Sequence, residues 1–145
     1  MATNYTNNFK NILDRLTSIF RDEFKGSLPV YIGKEEPTGT QHLRLIPVGS
    51  SLSEYNASSE LREYTINFIL TFKDVNTTQK GLEQVLRLIS RIESLVMDNI
   101  SMELEDRSNT INCRIESTDI SELPETGYSV FFVYQCQHLG ILSCR

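Results

Sequence analysis

Long apolar runs are missing from this chain of 145 residues. The longest, Val130–Tyr134, falls far short of the ~20 residues that a membrane-crossing helix requires. The stretch Met1–Asn8 is polar, with neither a basic n-region nor an apolar h-region, so export is not expected and the chain is read as soluble and made in the cytoplasm. Histidine is scarce. His42 and His138 are the only two, each beside a predicted strand end, and nothing ties either to a serine or cysteine as a nucleophile–base pair would require. Both are read as lone exposed histidines. The seven glycines are scattered, so the Walker pattern, Gly-x-Gly-x-x-Gly and the Gly-x-Ser-x-Gly elbow are all absent.

The cysteines (Cys113, Cys136, Cys144) are three, an odd count that argues for reduced thiols over a disulfide framework. With His138 they supply zinc-ligand types, but Cys-x-His lacks the spacing that lets neighbouring side chains converge on one ion. Cys113 and Cys136 are better read as core residues of paired strands. The carboxylates at Glu35–Glu36 and at Glu103, Glu105 and Asp106 lie in predicted loops without an apolar wall to raise a pKa. No catalysis, metal or cofactor is expected.

A basic surface is also lacking. The net charge is −5, and all of it arises between Ser101 and Gly127, where seven acids face two bases; the rest of the chain carries twelve of each. Gripping nucleic acid through its phosphates is therefore not expected. The acidic segment reads either as solvated loops or as a surface that repels DNA or docks a basic partner.

What the chain does have is order. Phe9, Ile12, Leu13, Leu16, Ile19, Phe20 and Phe24 follow helical spacing, with Asn7 or Asn8 available to cap and Gly26 as a left-handed stop. Glu23 falls on the apolar stripe. Leu28–Gly33 and His42–Val48 read as a short hairpin, with Pro47 marking an edge or an early end. Gly49–Ser59 reads as a flexible loop. In Glu60–Lys73, Tyr64, Ile66, Phe68, Leu70 and Phe72 alternate with polar residues, the pattern of an antiparallel strand covered on one side. A second helix, started by a capping box at Asn76–Gln79, runs through Leu82, Val85, Leu86, Ile89, Ile92 and Val96, widened by Leu88 and Leu95. Its other face bears Lys80, Gln84, Arg87 and Arg91, either a solvated surface or a docking stripe for an acidic partner. Met102–Asn109 reads as a polar loop and Thr110–Ser117 as a strand with Ile111, Cys113 and Ile115 on one face. Ile120–Gly127 reads as a connection. Tyr128–Gln137 is a last strand, apolar on both faces and so central in the sheet or at a subunit contact; His138–Arg145 reads as a tail.

The expected fold is a single α+β domain over residues 1–145, in the order α-β-β-β-α-β-β. It is a mainly antiparallel sheet with two amphipathic helices on one face.

That order, with the helix Phe9–Phe24, the strand Tyr64–Phe72 behind a serine-rich loop, the helix Leu82–Val96 and the closing stretch Asp119, Leu123-Pro124, Gly127–Tyr134, resembles the tail terminator and tail completion proteins of long-tailed bacteriophages. The resemblance spans nearly the whole chain and implies a virion structural protein of the tail or neck. Its expected form is a homo-oligomeric ring, commonly hexameric, at the head-proximal end of the tail tube. There it would end tube growth and join tail to neck. Expected partners are other copies, the tail tube protein, a sheath where there is one, and neck or connector proteins; genomic DNA would pass in transit only, and no membrane is involved. Candidate interface residues are Glu63, Thr65 and Asn67 on the long strand, Lys80, Arg87 and Arg91 on the second helix, and Phe131 and Val133 on the last strand. Glu103, Glu105 and Asp106 are candidates for an acidic loop facing the lumen, where DNA would slide without sticking. Another phage neck or head-closure connector is the alternative. A small cytoplasmic ligand-binding or enzymatic α+β domain is a third reading, and it would require a defined small-molecule pocket.

Overall fold

The computed structural model describes residues 7–33, 41–55, 59–73, 79–105, 107–122 and 127–141. Helix α1 (Asn8–Phe24) starts where the Asn7 side chain accepts from the Lys10 amide. It ends with Lys25 in the left-handed region (φ 48°), followed by Gly26 at φ 89°. Ile12, Leu13, Leu16, Phe20 and Phe24 are buried along one stripe. Helix α2 (Gln79–Asp98) buries Val85, Ile89, Ile92 and Val96, while Leu82 and Leu86 stay exposed. The capping box expected at Asn76–Gln79 falls largely outside the described residues.

Six strands form one sheet: β1 (Val30–Ile32), β2 (Gln41–Tyr55), β3 (Ser59–Lys73), β4 (Met102–Glu103), β5 (Asn109–Glu122) and β6 (Gly127–Ile141). Their spatial order is β1-β2-β3-β6-β5-β4. All pairings are antiparallel except β1 with β2. Both helices lie over the face carrying Tyr64, Ile66, Phe68, Leu70 and Phe72 from β3 and Tyr128, Val130, Phe132, Tyr134 and Cys136 from β6, and these layers merge in one core. The Phe20 ring meets Phe68 edge-on at 5.3 Å, and Phe68 stacks on Tyr134 at 5.0 Å. The α+β architecture and element order are those read from the sequence, with β4 as an added two-residue strand. The last strand, apolar on both faces, is central.

Several local expectations are corrected. Leu28–Gly33 and His42–Val48 do not form a hairpin: Val30, Tyr31 and Ile32 run parallel to Leu43, Arg44 and Leu45. A three-residue strand makes this feasible, because the chain need retrace only about 10 Å before entering β2. Gly49–Tyr55 is strand and not loop. It continues β2 through a register shift at Pro47/Gly49 and pairs to the end with β3. Pro47 is therefore no terminus but does mark an edge position: it lies just beyond the part of β2 that β1 covers, where a missing N–H breaks no ladder. Met102–Asn109 is pinned rather than loose, since Met102 and Leu104 are buried and β4 pairs with Asn109 and Thr110. Strand β5 runs on to Glu122, and β6 continues through His138–Ile141 where a tail was expected. Shifts at Ile111/Arg114 and Ile115/Ser117 break the simple alternation of β5, leaving Cys113 buried but Ile111 exposed. Both histidines are buried, not exposed. His138 Nε2 lies 2.9 Å from Ser108 Oγ, and the His42 ring lies edge-on to Tyr31.

Candidate assembly surface

The register of β3 against β6 gathers five of the expected interface residues on the helix-free face of the sheet. Glu63 lies opposite Gln137, Thr65 opposite Gln135, Asn67 opposite Val133, and Ile69 opposite Phe131. At one end this face is polar. Arg114 donates to Gln135 Oε1 at 3.0 Å, lies 3.8 Å from Glu63 and pairs with Glu116, while Gln135 reaches Thr65 Oγ1 at 3.4 Å. At the other end it is apolar, with Phe131 36% exposed beside half-buried Ile69 and Val133. The open face of β3 is thus only half open: Thr71 is buried, and Thr65 and Asn67 are partly covered.

Of the three basic residues expected as an interface on α2, Arg91 is engaged within the chain. Arg87 is exposed, and the Lys80 side chain lies outside the described part of the structure. Arg91 turns toward α1, donating to Glu23 Oε1 at 2.9 Å and to the Glu23 carbonyl at 3.1 Å, with its guanidinium 4.6 Å from the centroid of the Phe24 ring. This also explains how Glu23 can fall on an apolar stripe: it reaches out to the other helix. Both partners are part exposed, so the ion pair contributes little and the cation–π contact adds of order 0.5–1 kcal/mol. Arg91→Ala is expected to cost about 1 kcal/mol, read as a lower denaturant midpoint with an unchanged slope.

The acidic loop is anchored by Leu104 and faces α1. Glu103 and Glu105 line a cleft of about 420 Å³ with Asn11, Asp14, Arg15 and Ser18. Asp106 lies outside the described residues. Lys10, raised by its hydrogen bond to Asp14, also feels Glu105, so bases of α1 offset part of the negative field.

Cys113 and Cys136, expected as core residues of paired strands, are both buried and form a cross-strand thiol pair. Cys113 sits in the β5 irregularity against Cys136 of β6, its sulfur 3.2 Å from Thr110 Oγ1. The hydrogen bond with Cys136 holds the Cys113 thiol down at about 6 against the opposing effect of burial, helped by the hydroxyl of Thr110; Cys136 is correspondingly pushed up. Cys136→Ala removes the main donor, so the Cys113 titration should move to higher pH, measurable as thiolate absorbance against pH. Beside it lies an apolar groove of about 480 Å³ lined by Val96, Met97, Ile100 and the β5 irregularity. Among the described residues no group of three or more His, Cys, Asp or Glu is placed to hold a metal. No helix among them is long and apolar enough to cross a membrane. Periodicity also gives no signal for Val48, Leu52 and Tyr55, all exposed on the serine-rich part of β2.

No protein-family model and no curated protein matches the sequence. Among solved structures, the fold is shared with a chain from the virion of the native gene transfer agent (GTA) particle, with TM-score 0.61 and 10% identity over 94% of this chain and 100% of that one. A second solved chain has TM-score 0.53 and 14% identity, covering 94% of each. The likeness defines a class of fold: a sheet of long antiparallel strands with two helices on one side.

Proposed function

We propose that this protein is a structural component of a phage or phage-like virion, forming a closed ring, hexameric by analogy with the resembled family, at the head-proximal end of a tail. It ends tube polymerisation and joins the tail to the neck. The observation that carries this reading is the shared fold with a gene transfer agent virion chain along that chain's entire length. The same element order suggests tail terminators on sequence alone. The helix-free face, with Glu63, Thr65, Asn67, Phe131 and Val133, supports a contact role, because it presents an exposed aromatic beside an ordered polar network. Glu103 and Glu105 remain candidates for the lumen side.

Native mass and negative-stain images of the purified chain test the ring. Co-sedimentation with capsid-free tail tubes tests its place: binding to tubes supports termination, and binding to capsids alone would reassign the protein to head closure. A monomer that binds neither would overturn the reading.

A further inference from the structure

The two flanks of the sheet are covered unevenly. On the β2 side, β1 pairs only with Leu43–Leu45, so among the described residues Val48–Tyr55 meets no outer strand. On the β5 side, β4 pairs only with Asn109 and Thr110, and the Cys113 amide donates to the Ile100 carbonyl; from Arg114 to Glu122 no described strand follows. The open halves are alike in length, eight and nine residues. They also lie at opposite ends of the sheet. Ile120 is level, through Val130 and Leu70, with covered Leu43, whereas Leu52 is level, through Arg62 and His138, with covered Thr110.

Open strand edges are templates for another strand, and proteins usually blunt them. Here each is long and bears exposed apolar side chains: Val48, Leu52 and Tyr55 on β2, Ile120 on β5. Three antiparallel pairings separate β2 from β5, so the two strands run in opposite directions. A second copy in the same orientation would therefore meet its neighbour antiparallel. The diagonal offset, about 20–25 Å along the strands, is the stagger that a sheet needs when it closes with tilted strands. Charge selects the pairing. On the β5 half Arg114 pairs with Glu116, leaving Asp119 and Glu122 to repel a second β5 edge, whereas the β2 half carries Glu54 as its one charge, with the Arg62–Glu60 pair alongside and Arg62 also bonded to Ser50.

We propose that copies join edge to edge, Arg114–Glu122 of one against Val48–Tyr55 of the next, giving a sheet continuous across the subunit boundary. The contact is head-to-tail and leaves one free edge of each kind, so it propagates until a ring closes. This deepens the ring reading above and rests on it.

Cysteine pairs across the boundary test it. In a Cys144→Ser background, Ser51→Cys is combined in turn with Ser117→Cys, Asp119→Cys and Ser121→Cys, which share the helix-free face at successive registers. Mild thiol oxidation should give a ladder of linked species in at least one pair. Rings by native mass with no ladder in any pair would overturn edge pairing and leave the ring reading intact. A ladder in open filaments would support edge pairing and overturn the ring. An unlinked monomer at high concentration would overturn edge pairing. Independently, Leu52→Lys and Ile120→Lys, both at exposed sites, should each weaken self-association by about tenfold or more with thermal unfolding unchanged; unaltered association would refute the contact.

Discussion

Phe68→Ala is expected to lower stability by about 3–5 kcal/mol, the largest single-residue loss in the core. The side chain is fully buried in β3 and touches both layers at once: Phe20 of α1 edge-on at 5.3 Å, and Tyr134 of β6 stacked at 5.0 Å with 26° between planes. Truncation removes the transfer energy and leaves a cavity bounded by rigid rings that cannot collapse inward. It also forfeits aromatic pairing worth of order 0.5–1.5 kcal/mol per contact. At roughly 2–4 °C per kcal/mol for a chain of this size, the melting temperature should fall by about 10 °C. Thermal unfolding followed by circular dichroism checks this; a drop of only a degree or two would mean that the helical layer is held elsewhere.

Phe131→Glu should leave folding almost untouched and disable docking onto the tail tube. Phe131 alternates with the core residues Val130 and Phe132 and so projects from the helix-free face, 36% exposed in the isolated chain. Its replacement exposes no core. Aromatic anchors near the centre of an interface commonly contribute about 2 kcal/mol or more, equivalent to roughly 30-fold in affinity. A carboxylate placed there adds desolvation cost and stands close to Asp119, its direct neighbour on β5. Tube co-sedimentation should drop by at least that factor while the unfolding free energy stays within about 0.5 kcal/mol of the parent. Full assembly by the substituted chain would remove this face from the contact surface.

Both residues are legible in the sequence by one rule. The alternation Tyr64, Ile66, Phe68, Leu70, Phe72 declares its buried face, because strand side chains point alternately to the two sides. The same rule places Phe131 and Val133 opposite Phe132. It fails in Gly49–Tyr55, where serines and glycine weaken both propensity and pattern. There the strand is held by pairing with Glu60–Thr65 and not by burial of its own side chains. It fails again at Ile111–Ile115, because two register shifts in β5 change which residues face inward. Arg91 reads as part of a basic surface stripe until the packing of α2 beside α1 brings it onto Glu23 and Phe24.

By itself the amino-acid order determined the two helical stripes, the long alternating strand, the doubly apolar last strand and hence a layer of two helices on a sheet. Periodicity is a local property, and burial of one face follows from it. Only the tertiary structure decided that β1 runs parallel to β2, that Cys113 meets Cys136, and that among the described residues the outer strands β1 and β4 cover only part of β2 and β5. Strand pairing is made by backbone groups that nearly every residue carries alike, so partners far apart in sequence leave no address in the side chains.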